Sequence, residues 1–318
     1  MRAVTIVDGE LRWDGHPDPV AGDSEIVLAV RAAGVNAADL LQRRGFYPAP
    51  PGVPADIPGL EVAGEVVAVG PRVSRFAVGD RAMGVVGGGA QAERAVIDER
   101  CALAVPDGLS WEEAGGFPEA FSTAHDALFT QCGLAMGDRV LVTAAAGGVG
   151  TAGVQLAAAV GATTVASVRS PELRDAVTTL GAAHAVDPED AAGLGPFDVV
   201  LELVGASSLP GALGALAVGG RIAVIGVGSG ARVEIDLMGL MHRRGRISAS
   251  TLRARSILEK AAVARAVEAH VLPLLRSRRL RVPVEATYPM DRAAEAYERF
   301  AAGGKLGKIV LVASGSSV

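Results

Sequence analysis

Two patterns of apolar and polar residues divide the chain near residue 110. Before that point, short apolar runs predict strands, and clusters of proline and glycine separate them. The predicted strands of this part span residues 3–7, 25–31, 61–69 and 94–97. Residues 76–81 predict a tight turn that leads into another strand. This half of the chain is therefore predicted to be rich in β-structure and to form a small, partly closed barrel.

From Trp111 onward, segments with helical spacing of apolar residues alternate with apolar runs. After one or two helices at 112–131, the pattern predicts strands at 139–144, 163–168, 198–203 and 220–226 and helices at 149–160, 171–180 and 209–217. This alternation predicts a parallel sheet that helices cover on both faces. A strand at 246–250 and a helix at 256–275 follow. The last elements, at 282–286, 291–302 and 308–312, are predicted to rejoin the β-rich part.

The most informative segment runs from Val140 to Leu156, where a buried strand leads into a glycine-rich turn and then a helix. Ala145, Gly147 and Gly150 follow the spacing A-x-G-x-x-G. Glycines at this spacing let the backbone approach a pyrophosphate, and the N-terminus of the helix offers free N–H groups to it. The segment predicts dinucleotide binding; a turn of small residues made only for packing would give the same pattern.

Composition and charge exclude several classes of function. Half of the residues are hydrophobic, the net charge is −5 and the isoelectric point is near 5.6. No basic face for nucleic acid is expected, because acids offset the arginines. Only Cys101 and Cys132 occur, which favours a reducing cytoplasm. The N-terminus has no targeting pattern, and no apolar run reaches about 18 residues, so no membrane partner is expected.

Six motifs of the chain occur in the order in which one known family has them. They are GVNAADL at 34–40, RGFYP at 44–48, PGLEVAGEV at 58–66, GDR at 79–81, AAAGGVG at 144–150 and GKLGKIV at 304–310. Over nearly its whole length the chain resembles the zinc-free quinone oxidoreductase (zeta-crystallin-like) branch of the medium-chain dehydrogenase/reductase superfamily. Residues 88–92, 118–124 and 250–253 are similar to its stress-inducible quinone oxidoreductase subgroup.

The resemblance implies an α/β fold of two domains. A Rossmann domain, with a doubly wound parallel sheet, would be inserted in a partly closed, GroES-like β-barrel that forms the catalytic domain. The expected bounds are 1–119 and 280–318 for the GroES-like domain and 120–279 for the Rossmann domain, which would bind NADPH. The resemblance also suggests a homodimer, and the strand at 246–250, expected at the sheet edge, is the predicted site of pairing between subunits.

The residue types argue against a metal ion. A zinc alcohol dehydrogenase needs three soft or imidazole ligands at its catalytic ion and four cysteines in a structural lobe, whereas this chain has two cysteines in all. By resemblance, Asn36 occupies the position of the first cysteine ligand and Leu60 that of the histidine, beside a retained Glu61. The five histidines are scattered without the spacing of ligands. No metal is therefore predicted.

The end of the second parallel strand indicates the coenzyme. Sites that prefer NAD place an acid about 20 residues beyond the glycine turn, where it holds the ribose 2′-hydroxyl. This chain has Arg169 there and no acid before Glu172. A guanidinium can bind a 2′-phosphate through charge-assisted hydrogen bonds, so NADPH is predicted. At Leu173 relatives often carry a lysine that also reaches the phosphate, and Arg169 as the cap of a surface turn is the competing interpretation.

The remaining site residues are expected from the resemblance and from their positions at the carboxyl ends of predicted parallel strands. Asn36, whose amide can donate to a carbonyl oxygen, and Tyr47, in a proline-rich loop, are predicted at the reacting end. The predicted coenzyme contacts are Thr123, Ala145, Gly147, Gly148, Val149, Gly150, Ser167, Arg169, Ser170, Val204, Gly205, Gly226, Val227, Gly228, Thr251, Leu252, Arg253 and Lys305.

These observations predict an NADPH-dependent, metal-independent reductase that transfers hydride to a quinone-like, electron-poor acceptor. The nicotinamide carries the hydride, and a quinone can take its proton from solvent, so no nucleophile and no dedicated acid is required. Asp39 and Glu61 are interpreted as structural acids. Two alternatives stay open: a reductase of activated carbon–carbon double bonds in enoyl or alkenal compounds, and a redox-silent NADPH-binding sensor or structural protein.

Overall fold

The computed structural model describes residues 1–313, which divide into two compact units. The first unit comprises Met1–Glu119, Leu252–Gly303 and the residues from Lys308 onward; the second comprises Ala120–Thr251 and Gly304–Gly307. Residues 252–279 thus group with the first unit, whereas the bounds expected from the resemblance place them in the Rossmann domain. Local packing accounts for the difference, because the Arg265 guanidinium donates to the carbonyl oxygen of Ala102 over 2.7 Å.

The elements alternate as the two patterns predict. The strands, in chain order, are β1 (Arg2–Val7), β2 (Glu10–Gly15), β3 (Glu25–Val35), β4 (Glu61–Val69), β5 (Arg81–Val85), β6 (Arg94–Asp98), β7 (Ala102–Ala104), β8 (Arg139–Val142), β9 (Thr163–Ser167), β10 (His184–Val186), β11 (Phe197–Glu202), β12 (Leu216–Val224), β13 (Arg246–Ala249), β14 (Val284–Pro289) and β15 (Lys308–Val312). The α-helices are α1 (Ala37–Arg43), α2 (Trp111–Gly116), α3 (Pro118–His125), α4 (Gly148–Ala159), α5 (Arg174–Thr179), α6 (Pro188–Ala191), α7 (Leu209–Gly214), α8 (Leu237–His242), α9 (Ile257–His270), α10 (Leu272–Arg276) and α11 (Ala293–Ala301). A π-helix spans Asp126–Gln131, and 3-10 turns span Pro171–Leu173, Ala192–Leu194 and Met290–Arg292.

The first unit is built on a seven-stranded sheet in the order β14-β15-β3-β4-β5-β7, with β6 also paired to β3. β1 and β2 form a separate antiparallel hairpin. Strand β3 pairs antiparallel with β4, β6 and β15, and its apolar residues Ile26 and Leu28 lie in the core of this unit with Val62, Tyr297 and Ile309. The C-terminal strands therefore rejoin the β-rich part, which confirms the prediction.

The second unit contains a six-stranded sheet in the order β10-β9-β8-β11-β12-β13, and all of its strands run parallel. Its core includes Leu141, Val165, Val200 and Ile222, one from each of four adjacent strands. Strand β13 pairs with β12 alone and lies at the edge of the sheet, as predicted for residues 246–250. This arrangement brings the carboxyl ends of β8, β9, β11 and β12 to one edge of the sheet.

Short elements account for most differences between the predicted and the observed structure. The sequence pattern did not predict α1, α8 or β10, each of seven residues or fewer. The predicted helix at 256–275 consists of two helices, α9 and α10, because Pro273 near the start of α10 has no N–H to continue the helical ladder. Among residues 1–313, the helices are all too short or too polar to traverse a bilayer.

Asp39 is a buried carboxylate that fixes the start of α1. Its two oxygens accept hydrogen bonds from the backbone N–H groups of Asn36, over 2.8 Å, and of Gly59, over 3.1 Å. Gly59 has a φ of +105°, and a Cβ there would lie 2.8 Å from atoms of Gln91. Burial raises the pKa of Asp39 to about 7, against the opposing effects of these two hydrogen bonds and of the Lys308 charge.

The raised pKa of Asp39 makes the stability of the protein depend on pH. In the unfolded chain this carboxyl titrates near its ordinary pKa of 3.8. The folded state binds the proton more tightly than the unfolded state does. The protonated carboxyl therefore stabilises the folded state fully below pH 3.8, and this stabilisation is lost as pH rises through about 7. Between pH 5 and pH 8, Asp39 is expected to lower the free energy of unfolding by about 2 to 3 kcal/mol, at about 1.4 kcal/mol for each unit of pKa shift.

Urea unfolding at these two pH values measures the effect. Asp39→Asn, which removes the titration, is expected to reduce the fall in the free energy of unfolding by that amount. Asp190→Asn, at an exposed carboxylate, serves as the control and should retain the fall of the wild type. A fall of the same size in Asp39→Asn and in the wild type would contradict the assignment.

Candidate functional site

The glycine-rich turn connects β8 to α4 as the sequence spacing predicts. The backbone N–H of Ala145 donates to the carbonyl of Ser167 over 3.0 Å, which ties the turn to the end of β9. Ala144 adopts a φ of +47°, and its carbonyl oxygen accepts from the N–H of Gly147 over 3.0 Å. The chain thereby reverses direction within a few residues and enters the helix at Gly148.

Two of the three glycines of α4, Gly150 and Gly153, lie in close packing contacts. A Cβ on Gly150 would lie 2.5 Å from the carbonyl oxygen of Ala144 and 2.6 Å from the Cα of Ala145, which are backbone atoms that cannot move aside. A Cβ on Gly153 would lie 2.6 Å from the side chain of Leu201 in β11. These contacts place the start of the helix directly against the turn, which is the role that the third glycine has in dinucleotide-binding turns.

The N-terminus of α4 leaves hydrogen-bond donors available. The first helical bond runs from the N–H of Thr151 to the carbonyl of Gly147 over 2.8 Å, so the N–H groups of Gly148, Val149 and Gly150 have no acceptor within the helix. No acidic residue occupies the first turn. The positive end of the helix dipole is therefore not neutralised locally, which favours an anion at this position.

Residues 304–307 approach the same turn. The N–H of Gly307 donates to the carbonyl of Ala146 over 2.7 Å, and Gly307 forms a parallel bridge with Gly147. The side chain of Lys305 folds back toward Gly307, and its Nζ donates a hydrogen bond to the carbonyl oxygen of Gly307 over 2.8 Å. The structure therefore brings the predicted Lys305 to the glycine-rich turn through its neighbour Gly307.

The end of β9 carries an arginine and no acid. Arg169 is exposed, and its side chain forms neither a hydrogen bond nor an ion pair with any residue in the range 1–313. The nearby Arg174 is already engaged, because it donates to the carbonyl of Val168 and pairs with Asp187 over 2.8 Å. Arg169 is thus the guanidinium that remains available at this strand end, beside Ser170.

A buried carboxylate organises the turn that follows β11. One oxygen of Glu202 accepts hydrogen bonds from the N–H groups of Val204, over 2.7 Å, and of Gly205, over 2.9 Å. The same oxygen accepts from the hydroxyls of Thr143, over 3.2 Å, and of Ser208, over 2.6 Å. Glu202 therefore connects the ends of β8 and β11 to the start of α7 and fixes the backbone of the predicted contacts Val204 and Gly205.

The turn after β12 packs backbone to backbone against the turn after β11. A Cβ on Gly226 would lie 2.2 Å from the carbonyl oxygen of Leu203, and Gly205 has a φ of +102°. Val227 is exposed, and a Cβ on Gly228 would meet nothing within 4 Å. The predicted residues of these two turns are therefore neighbours at the carboxyl edge of the sheet.

The other predicted coenzyme contacts of the second unit differ in their exposure to solvent. Ser167 is buried at the end of β9, and Thr123 is buried within α3. Thr251 is exposed beyond β13. The coenzyme contacts proposed for these residues, and for Leu252 in the first unit, stay predictions.

In the first unit, Asn36 belongs to a buried polar cluster, which we define as Asn36, Glu61 and Lys308. The Nζ of Lys308 lies 2.6 Å from Oε1 of Glu61 and 2.5 Å from Oδ1 of Asn36. The Nδ2 of Asn36 donates to Oε1 of Glu61 over 2.9 Å. The second carboxylate oxygen of Glu61 accepts from the backbone N–H of Glu119 over 2.9 Å. Glu61 therefore connects Asn36 and Lys308 to the backbone of α3, and its interpretation as a structural acid stays a prediction.

Arg253 holds the loop that carries Tyr47. Its Nε donates to the carbonyl of Gly87 over 2.6 Å, and its terminal nitrogens donate to the carbonyl of Tyr47 over 2.9 Å and to Oε1 of Gln42 over 2.6 Å. The guanidinium also lies 5.1 Å from the centroid of the Tyr47 ring. Arg253 is only 2% exposed, and burial lowers the pKa of its guanidinium.

The hydrogen bonds of Arg253 serve the Tyr47 loop, because its guanidinium is enclosed by acceptors of the first unit. The coenzyme contact expected of Arg253 stays a prediction. Sequence reasoning also missed Lys308 and Glu202, although each lies within or beside a segment that it identified. The available indication was a polar residue at the start or end of a mostly apolar strand.

No group of three or more histidine, cysteine, aspartate or glutamate side chains within residues 1–313 has the arrangement of a metal site. At the two positions that the resemblance equates with zinc ligands, the side chains are an amide, Asn36, and an apolar residue, Leu60, and both are buried. The ammonium of Lys308 lies against Asn36 and Glu61, and a positive charge there repels a divalent cation. These residues do not fit a zinc ion.

Two family descriptions match the chain. Residues 22–107 match the alcohol dehydrogenase GroES-like domain, and residues 148–268 match the zinc-binding dehydrogenases. The matched ranges correspond to most of the β-rich part and to the region that begins at α4. The second description names zinc, an ion that the side chains of Asn36, Leu60 and Lys308 do not fit.

Several proteins of known name are similar to the chain over most of its length. It is 31% identical to the quinone oxidoreductase-like protein 2 homolog of Nematostella vectensis, covering 91% of this chain and 82% of that protein. It is 37% identical to polyketide synthase GfsB of Streptomyces halstedii over 94% of this chain but only 5% of that much longer protein.

A solved structure supports the same relationship. The quinone oxidoreductase of Thermus thermophilus, also solved as its complex with NADPH, is 35% identical and superposes with a TM-score of 0.85, covering 98% of this chain and all of that one. Together with the two family descriptions, this similarity shows that the chain has a GroES-like domain and a Rossmann parallel sheet. The chain belongs to the medium-chain dehydrogenase/reductase superfamily and is a homologue of its quinone oxidoreductases.

Proposed function

We propose that the protein is an NADPH-dependent reductase that transfers hydride to a quinone-like acceptor without a metal ion. The observation that carries the proposal is the combination of an open helix N-terminus at α4 with the unengaged guanidinium of Arg169 at the end of β9. The first suits a pyrophosphate, and the second suits a 2′-phosphate. The similarity to quinone oxidoreductases, one of them solved with NADPH, supports the same function.

The residues of the second unit fit this coenzyme. The N–H groups of Gly148, Val149 and Gly150 would bind the pyrophosphate, with Ala145 and Gly147 close behind it. Arg169 would bind the 2′-phosphate. The turns after β11 and β12, whose backbones pack against each other, would bind the nicotinamide ribose and ring through the residues predicted for this role: Val204, Gly205, Gly226, Val227 and Gly228.

When bound, the coenzyme supplies the hydride that reduces the acceptor. The residues of the chain have to orient the acceptor and exclude water. We propose that Asn36 provides a hydrogen bond to a carbonyl oxygen of the acceptor and that the ring of Tyr47 forms a wall beside it. The hydrogen bonds and the cation–π contact of Arg253 hold Tyr47 for this purpose.

Zinc has no role in this proposal. Hydride transfer to a quinone involves no alcohol substrate that a metal ion would have to polarise. Dehydrogenation of an alcohol without a metal or a base is harder to explain. The amide of Asn36, the apolar Leu60 and the ammonium of Lys308 are the wrong donors for zinc.

A second candidate function is reduction of a conjugated carbon–carbon double bond in an enoyl compound. The 37% identity to polyketide synthase GfsB over 94% of this chain favours it, because that identity exceeds the identity to the quinone oxidoreductase-like protein. Both reactions deliver hydride to an electron-poor conjugated carbon, and both use the same coenzyme-binding residues. The cytoplasmic location stays a prediction, whichever of the two functions the protein has.

Steady-state oxidation of NADPH with matched panels of quinones, enones and α,β-unsaturated thioesters distinguishes the functions. The proposed function predicts multiple turnovers with quinones at a higher kcat/KM than with the other acceptors. Preference for thioesters or enones would establish the second candidate instead. Tight binding of NADPH without turnover on any acceptor would identify a redox-silent protein and contradict both.

Substitution of Arg169 tests the choice of coenzyme. Arg169→Glu removes a charge-assisted partner and adds repulsion toward the 2′-phosphate, so the Kd of NADPH is expected to rise about 10- to 100-fold while that of NADH changes little. Calorimetric titration with both coenzymes measures the two Kd values. Arg276→Glu, an equal change of charge at an exposed arginine of α10, is the control and should leave both values unchanged. Equal losses for NADPH and NADH in Arg169→Glu would show that this guanidinium does not bind the 2′-phosphate.

We also propose that the protein forms a homodimer through β13. This strand has one partner in the sheet, and the neighbouring helix α8 exposes Leu237, Met238 and Met241. Unpaired strand edges and exposed apolar side chains both favour association.

Light scattering is expected to give about 64 kDa, twice the chain mass of 32.2 kDa. A double substitution of Met238 and Met241 by Asp should reduce the mass to that of one chain. Met136→Asp, at a methionine that is 84% exposed elsewhere, should not. A wild-type mass of one chain at micromolar concentration would contradict the proposal.

A further inference from the structure

The buried cluster of Asn36, Glu61 and Lys308 contains more polar groups than the fold requires. The side chain of Glu61 is 0% exposed and that of Lys308 is 5% exposed, so both charges are removed from water. Removing an ion pair from water costs several kcal/mol per ion, and such a pair seldom stabilises a fold more than apolar residues of the same volume would. The pair therefore calls for an explanation other than stability.

The chemistry of the two charged neighbours fixes the orientation of the Asn36 amide. Lys308 can only donate hydrogen bonds, and the ionised carboxylate of Glu61 can only accept them. The Oδ1 of Asn36 therefore has to face Lys308, at 2.5 Å, and Nδ2 has to face Glu61, at 2.9 Å. The opposite orientation would place an N–H group against the ammonium and an oxygen against the carboxylate.

The backbone holds Glu61 in this position from two sides. Its second oxygen accepts from the N–H of Glu119 over 2.9 Å. Gly34 leaves the space that its first oxygen occupies, because a Cβ there would lie 2.1 Å from Oε1 of Glu61 and 2.9 Å from the carbonyl oxygen of Gly115. The carboxylate therefore cannot rotate away without breaking a backbone hydrogen bond.

This arrangement leaves a defined part of the amide for a ligand. The second N–H of Asn36 has only a long contact, 3.4 Å, with the carbonyl oxygen of Gly34. Asn36 is 8% exposed. Its amide thus has one weakly bonded donor, which suits a neutral carbonyl oxygen such as that of a quinone or an enone.

We propose that Glu61 and Lys308 are positioning residues that act through Asn36, so that its weakly bonded N–H is held in place for the carbonyl oxygen of the acceptor. This inference rests on the proposed function. It assigns a role in acceptor binding to an ion pair whose members do not touch the acceptor, and it limits the favoured acceptors to those that present a neutral carbonyl oxygen.

The test uses the double variant Glu61→Gln with Lys308→Met, because it leaves no unpaired buried charge. Glutamine can donate as well as accept, so the orientation of the Asn36 amide is no longer fixed. The kcat/KM for the best acceptor of the panel is expected to fall about 10- to 100-fold, as is usual when a reacting group is misplaced slightly. The Kd of NADPH should stay the same, since its predicted phosphate contacts belong to the second unit.

Asn36→Ala completes a double-mutant cycle. If the ion pair acts through Asn36, the double variant should cause no further loss of kcat/KM in the Asn36→Ala background. Arg221→Met, which breaks the ion pair to Asp138 in the second unit, is the control for stability: it is expected to lower the melting temperature without changing kcat/KM for the acceptor.

The side-chain amide signal of Asn36 in a 15N NMR spectrum, assigned from its loss in Asn36→Ala, gives a readout that does not depend on activity. In the wild type its protons should exchange slowly with solvent, and in the double variant they should exchange faster with a changed chemical shift. Unchanged kcat/KM in the double variant, losses that add to those of Asn36→Ala, or an unchanged amide signal would each overturn the inference. Absence of wild-type turnover on the whole panel, together with the expected NMR change, would instead refute the proposed function.

Discussion

The close contact between the start of α4 and the turn that precedes it is the constraint on which the candidate site depends. Gly150 lies so near the backbone of Ala144 and Ala145 that no side chain fits. Because of this contact the helix begins immediately at the turn, and the N–H groups of its first residues point out of the end of the helix with no acid to neutralise them. The available donors and the positive end of the dipole favour an anion there, and we propose that Arg169 at the end of β9 belongs to the same site.

Buried carboxylates organise the backbone in each of the two units. Glu202 fixes the turn after β11 by accepting four hydrogen bonds, and Glu61 fixes Asn36 together with Lys308. Asp39 does the same for the first turn of α1. In each case a short polar side chain satisfies backbone or amide groups that packing has removed from water. With reactivity supplied by a coenzyme, orientation is what such residues have to contribute.

The parts of the structure that depend on local pattern were predictable from the sequence. The alternation of strands and helices after residue 139, the turn at 145–150 and the return of the last strand to the β-rich part follow from apolar periodicity and glycine spacing. The contacts of Arg253 with Tyr47 and Gln42, and of Lys308 with Asn36, join residues more than 200 positions apart. A local sequence pattern carries no information about contacts between such distant residues. The motif at residues 250–253 therefore pointed to Arg253 without indicating which groups its guanidinium would bind.

Calorimetric titration of the wild-type protein with NADPH, with elemental analysis of the same sample, tests coenzyme binding and metal independence together. We expect saturable binding of about one NADPH per chain and no stoichiometric zinc. Absence of binding to NADPH, or zinc at one equivalent per chain, would contradict this expectation.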